Sequence, residues 1–237
     1  MRKLVEYPTP SLSERDRRWA AVRKEMDARG LDGLILCGWP AMWDFNEPTL
    51  FLWAADAHPY PHPFRVPTTR PLAKGDMIIC EMHPKFGGYF THIERTFCLG
   101  EPEPRYLDLY DACLAAYRRG LDLFKPRAKI SQVMDAVRDT IEGSGFGICE
   151  AGIHGHGLAS LEYPRYRHHA KGADVGALKA IGDEFRAGMV FAMNIDLFDP
   201  KWRNGETGCV FAETIVVTDN GARRLHSFST DFQRLPV

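Results

Sequence analysis

The chain has 237 residues, 45% hydrophobic and 26% charged, with a formal net charge of −1. That length buries a substantial core in one large domain or two small ones. The near-neutral charge gives no basis for a nucleic-acid or membrane-surface partner. Apolar runs are too short to span a bilayer, and the opening MRKLVEYPTPSLSERD lacks the apolar stretch of a signal peptide. Six cysteines, at 37, 80, 98, 113, 149 and 209, form no CxxC pair. Free thiols in a reducing cytoplasm are the expectation.

In chain order, residues 1–12 read as an arm. Ser13 is placed to cap a helix running to about Arg29, with Trp19, Val22 and Met26 as its apolar stripe and Gly30 as its stop. LDGLILC (31–37) reads as a short buried strand. Residues 38–70 are rich in Trp, Pro and His, and only Thr49–Ala54 looks strand-like. So long an irregular segment is uncommon in a compact domain unless it is functional or covers something.

The stretch from Gly75 to Gly100, GDMIICEMHPKFGGYFTHIERTFCLG, predicts a hairpin turning at PKFGG. His92, Glu94 and Thr96 share one face of the returning strand, and Arg95 points to the other. Glu81 ends the outgoing strand, and His83, two residues on, shares its face as an auxiliary ligand candidate. Paired strands hold such groups rigidly enough for a metal or a catalytic pair. The same residues would also suit a plain polar outer face.

Beyond the hairpin, Pro104 opens a helix to about Phe124. Ser131 is placed to cap a second helix that stops at Gly143. A short strand near Ile148 leads into GIHGHGLASLEYP, and RYRHHAKGADVGALKAIGDEF reads as a polar loop. Two further strands follow, Met189–Leu197 and Cys209–Thr218, with DNG as the turn. LAKGDMIICE (72–81) and FRAGMVFAMN (185–194) have the same shape. Six residues on from Gly75 lies Glu81, and six on from Gly188 lies Asn194. Counting back eight from Gly100 and Gly221 pairs His92 with Glu213. The echo predicts an α+β domain of pseudo-symmetric halves with one site between them.

Five stretches in order, LAKGDMIICE, GGYFTHIERTFCLGEP, GHGLASLEYP, RAGMVFAMN and FAETIVVTDNG, resemble the pita-bread superfamily of creatinase, aminopeptidase P, prolidase and methionine aminopeptidase. RRWAAVRKEMDARGLDGLIL resembles the start of the extra N-terminal domain of the creatinase and prolidase branch. The resemblance implies a pita-bread fold, with helices outside a curved antiparallel sheet. It divides the chain into a remnant N-terminal domain (1–46) and a catalytic-like domain (47–237). It also implies a dinuclear metal centre held by two aspartates, a histidine and two glutamates. Carried over by position, these fall on Glu81, His92, His154 or His156, Asn194 and Ala212, with Glu213 one residue beyond.

That set argues against the usual dinuclear centre. Two bridged cations need several carboxylates, histidine brings no charge, and neutral Asn is a weak ligand. Glu213 cannot simply stand in for position 212, because one step along a strand turns the side chain to the opposite face unless a bulge intervenes. Glu81, His92, His156 (or His154) and Glu213 remain as ligands for a single divalent ion, zinc, manganese or iron. Glu162 is a candidate base, and His154 or His156 a proton shuttle; the resemblance makes His62 a pocket residue. The implied function is hydrolysis of a C–N bond in an X-Pro peptide or a small amidino or amide compound, with or without metal. The alternatives are a non-catalytic member binding a small molecule or partner, and a lyase of the same superfamily. Measured against the family the first half is short, which predicts that the sheet face left bare is covered by a homodimer or by residues 39–65 packed across it.

Overall fold

The computed structural model describes residues 11–32, 49–54, 71–86, 89–159, 161–169, 172–174, 182–205 and 207–236. His62 and the expected 46/47 domain boundary lie outside them. Two compact units divide the chain, Met1–Leu36 and Cys37–Val237.

The first unit contains α1 (Leu12–Ala28). Its cap is Ser11 rather than Ser13: the Ser11 hydroxyl accepts the Glu14 N–H at 3.2 Å. Leu31 N–H reaches back to Met26 O at 3.0 Å, and Gly30 takes the positive φ of 63° that this reversal needs.

The second unit is built on a sheet of β1 (Thr49–Ala54), β2 (Met77–His83), β5 (Ile93–Leu99), β6 (Gly147–Gly155), β7 (Glu162–His169), β8 (Gly172–Asp174), β9 (Val190–Phe198), β10 (Gly208–Val217), β11 (Ala222–Arg224) and β12 (Gln233–Leu235). The spatial order is β1-β2-β5-β10-β9-β6-β7-β8, with β11 on β10 and β12 on β5. All pairs are antiparallel except β5 with β12. The hairpin tip is a separate ribbon, β3 (Lys85–Phe86) with β4 (Tyr89–Phe90). Helices α2 (Pro104–Leu123) and α3 (Ile130–Ser144) supply the other layer. Tyr110 and Tyr117 pack on Phe211, and Phe124 on Phe185 and Phe191, within a core that is buried throughout. Among the described residues no helix is long and apolar enough to cross a membrane, and the described cysteines are free.

The α+β expectation of matching halves holds. Gly75 N–H bonds Leu99 O at 2.7 Å, and Gly188 N–H bonds Val217 O at 2.9 Å, both glycines at positive φ. The echo is nevertheless offset from the glycine count. These matching bonds equate Leu99 with Val217, so Glu94 corresponds to Ala212 and Arg95 to Glu213. The cause is the turns: Gly100 follows Leu99 directly, whereas Gly221 sits four residues beyond Val217.

Two other expectations change. Ser131 does not cap α3 itself; Asp183, from a distant segment, accepts both its N–H (2.9 Å) and its hydroxyl (2.5 Å). The helix runs past Gly143 to Gly145, which takes the left-handed cap. RYRHH is strand, not loop. Pro164, Tyr166 and His168 alternate inward while Tyr163, Arg165 and Arg167 face outward, so long polar side chains hide a period of two.

Candidate metal and catalytic site

The sheet register assembles the site on one face. Glu81 of β2 stands opposite Glu94 of β5, and Glu94 opposite Ala212 of β10. Ala212 stands opposite Asn194 of β9, and Asn194 opposite Gly152 of β6. Residues two positions along these strands share that face. They add His83, His92, Asp196 and His154.

Four buried histidines collect here. The rings of His83 and His92 stack at 4.3 Å between centroids. His154 and His156 lie 5.8 and 6.0 Å from His92 and 5.5 Å from each other. The His92 backbone is clamped: its N–H donates to the Thr214 hydroxyl at 2.7 Å, and that hydroxyl donates back to His92 O at 2.9 Å. The loop carrying His156 is pinned by His156 N–H on Val190 O (3.0 Å) and by Phe90 N–H on Gly157 O (2.7 Å).

Glu81 Oε1 lies 2.9 Å from His83 Nε2 and 3.4 Å from His92 Nε2. His92 Nε2 is also 3.1 Å from Glu94 Oε1, and Asn194 donates to that oxygen at 3.4 Å. Burial opposes ionisation of Glu81, but the hydrogen bonds from His83 and His92 outweigh it and hold the carboxyl well below the carboxylate range. Burial, then the His92 charge, pulls His83 down. Burial, then His92 and His156, does the same to His154. Burial and the Glu81 charge push Glu94 up; burial and Glu94 push Asp196 up. Both carboxyls are thus biased toward the protonated form by burial and by neighbouring carboxylate charge.

This environment fits a cation. Donor atoms of Glu81, His83 and His92 lie within 4.8 Å of one another. Burial favours the neutral form of His83 while Glu81 is held ionised, and these are the forms a metal requires of such ligands. His92 Nδ1, Glu94 Oε2, Asn194 Oδ1 and Asp196 Oδ1 are buried without a hydrogen-bond partner among the described residues, so the cluster has spare polar capacity.

Of the expected residues, Glu81, His92, His154 and His156 come together. Glu213 does not join them. Its strand runs in register with β9 from Gly208 to Val216, with no bulge, so Ala212 faces the site and Glu213 faces away. There Glu213 binds Arg95, His226 Nδ1 at 2.8 Å and Arg224 at 3.3 Å. Arg95 is fully buried, lies over the Phe211 ring and donates also to Glu94 O, Ala212 O and Ser229 O. Glu162 lies apart from the histidine cluster's hydrogen bonds; its Oε1 accepts the Ala159 N–H at 2.8 Å. Sequence reasoning missed Asp196. Its signal was the alternation Asn194–Asp196 on a strand already assigned to the site.

A model of metallopeptidase family M24 matches residues 2–219 of this chain. The creatinase of Bacillus sp. (strain B-0618) is 26% identical over 167 residues, covering 68% of this chain and 38% of the creatinase. The Xaa-Pro dipeptidase of Pyrococcus furiosus is 27% identical over 183 residues, covering 76% of this chain and 48% of the dipeptidase. The match thus spans less than half the length of either relative. Among solved structures, dipeptidase PepE from Mycobacterium ulcerans superposes with a TM-score of 0.61 at 24% identity, over 80% of this chain and 48% of that one. That likeness concerns the fold alone, which is the pita-bread fold.

Proposed function

The chain belongs to metallopeptidase family M24, and from that premise we propose that it hydrolyses a C–N bond of a short peptide, such as X-Pro, or of a small amidino or amide compound, using one divalent metal ion. The observation that carries this reading is the convergence of Glu81, His83 and His92 within 4.8 Å, with His154 and His156 packed against them. Glu81, His83 and His92 would hold the ion. Two nitrogens and an oxygen suit zinc first, then iron or manganese. When bound, such an ion acidifies water and polarises a carbonyl.

The chain's own residues do the rest. His154 Nδ1 lies 3.0 Å from Gly155 O. A carbonyl only accepts, so Nδ1 carries the proton and Nε2 is the basic nitrogen. Burial keeps that imidazole neutral at neutral pH, ready to take a proton from a nucleophile and return it to a leaving amine. Glu94 backs His92, its Oε1 lying 3.1 Å from His92 Nε2.

A second reading, a non-catalytic protein that keeps the fold and binds a small molecule or partner, is favoured by Asn194 and Ala212 at positions where the resemblance expects glutamates. Elemental analysis and turnover decide between them. The proposal expects near-stoichiometric metal and hydrolysis of X-Pro dipeptides or guanidino compounds, both lost in Glu81→Ala. Neither metal nor turnover, with Zn²⁺ or Mn²⁺ supplied, supports the binding reading. A cytoplasmic homodimer belongs to the same proposal and is read by light scattering.

A further inference from the structure

A cleft of about 390 Å³ opens beside His156, and its walls include Tyr89, Leu158, Tyr163, Phe191 and Glu162. The hydrogen-bonded cluster of histidines and carboxylates accounts for none of these but His156. Tyr89 and Tyr163 are each 62% exposed and Leu158 67%. Large apolar side chains held in water around one concavity mark a binding surface rather than a core. Glu162 is the acid in this wall. Its carboxylate is fixed by the Ala159 N–H. Its oxygens would lie 3.1 and 3.2 Å from a Cβ at Gly157, so the glycine leaves room for them. Among the described residues no Lys, Arg or His side chain pairs with Glu162, although surface acids elsewhere, such as Glu14 and Glu184, have cationic partners.

An apolar cleft with one oriented, unneutralised carboxylate selects a cation carried on an apolar body. We propose that this cleft is the recognition subsite for the substrate, and that it takes a small molecule with an aromatic or aliphatic body whose cationic nitrogen pairs with Glu162. The proposal deepens the hydrolase reading and rests on it. Glu162 here binds and orients and is not the base. An ammonium and an amidinium offer the same charge and donors, so either could be the cation.

Titration calorimetry of the full chain with 2-phenylethylamine, benzamidine and neutral 2-phenylethanol tests this. At least one cation should bind about 10-fold or more tighter than the alcohol, and the tighter of the two identifies ammonium or amidinium as the recognised group. Glu162→Gln should reduce that preference to about 2-fold or less, while Tyr163→Ala should weaken all three probes and leave the preference intact. Equal binding of alcohol and cations, or a preference that survives Glu162→Gln, overturns the proposal. Should Glu162→Gln fail to fold, the wild-type preference and its persistence in Tyr163→Ala decide. The measurement needs no turnover. A Glu162-dependent preference in a chain that hydrolyses nothing keeps the subsite and overturns the hydrolase reading; hydrolysis without the preference does the reverse.

Discussion

Replacing Glu213 with alanine separates a structural acid from a metal ligand. Arg95 and Glu213 are both fully buried, and the pair lies on the sheet face away from the histidines. Removing one partner of a buried pair costs about 3–5 kcal/mol, because the other charge is left without compensation. Arg95 would keep three backbone carbonyls, of Glu94, Ala212 and Ser229, which places the expected loss near the lower end, about 3 kcal/mol. His226 and Arg224 lose the same acceptor but are less buried and add little. With a urea slope of about 3 kcal/mol per molar, the unfolding midpoint should fall by roughly 1 M. Metal bound per folded chain should not change. A Glu213→Ala protein of unaltered stability that has lost its metal would refute the register argument and return Glu213 to the site.

Three further outcomes follow from the same geometry. His83→Ala should weaken metal binding by more than the roughly 10–100-fold typical of losing an outer partner, measured by competition with a chelator, and should leave the fold intact by circular dichroism. Gly152→Ala should destabilise by at least about 1–3 kcal/mol, read by thermal or urea unfolding, because its Cβ would come within 2.3 Å of Tyr166 O, a backbone atom of β7. Arg105→Ala should lower stability at neutral pH and converge with wild type in acid. Burial alone would raise Asp199, but Arg105 Nε at 2.5 Å and the Lys201 N–H at 2.9 Å hold its carboxyl below the ordinary value. A depressed carboxyl contributes stability that is present above its unfolded pKa, about 4, and is lost as pH falls through the lower folded value. The stability gap between wild type and Arg105→Ala should therefore be full at about pH 6 and shrink progressively as pH falls below about 4; a gap independent of pH would contradict the assignment.

Much of this architecture is written in local pattern. Alternating apolar residues located β2, β9 and β10, and helical spacing after Pro104 located α2 to within a residue. Glycine-led strands revealed the repeat because a reversal at positive φ leaves a residue-level mark. Strand β7 escaped because its arginines and histidines are polar on both faces, and polarity alone does not distinguish a loop from a strand that is open to water on one side. The candidate cluster was legible where its residues are two apart in one extended stretch: Glu81 with His83 on β2, and His92, just before β5, with Glu94. It was misread where it depends on register between strands. Whether Ala212 or Glu213 stands beside Asn194 is decided by the β9–β10 pairing, which no single stretch encodes. Asp196 was overlooked for a related reason. An acid in an apolar run draws attention only when a second carboxyl is known to lie across the sheet from it.

The number of metal ions per chain, and their dependence on single ligands, bears most directly on the central claim. Elemental analysis of the purified protein after titration with Zn²⁺ should give one ion per chain, lost in Glu81→Ala and in His83→Ala and retained in Glu213→Ala. Two ions per chain, or one ion that survives removal of His83, would contradict the account.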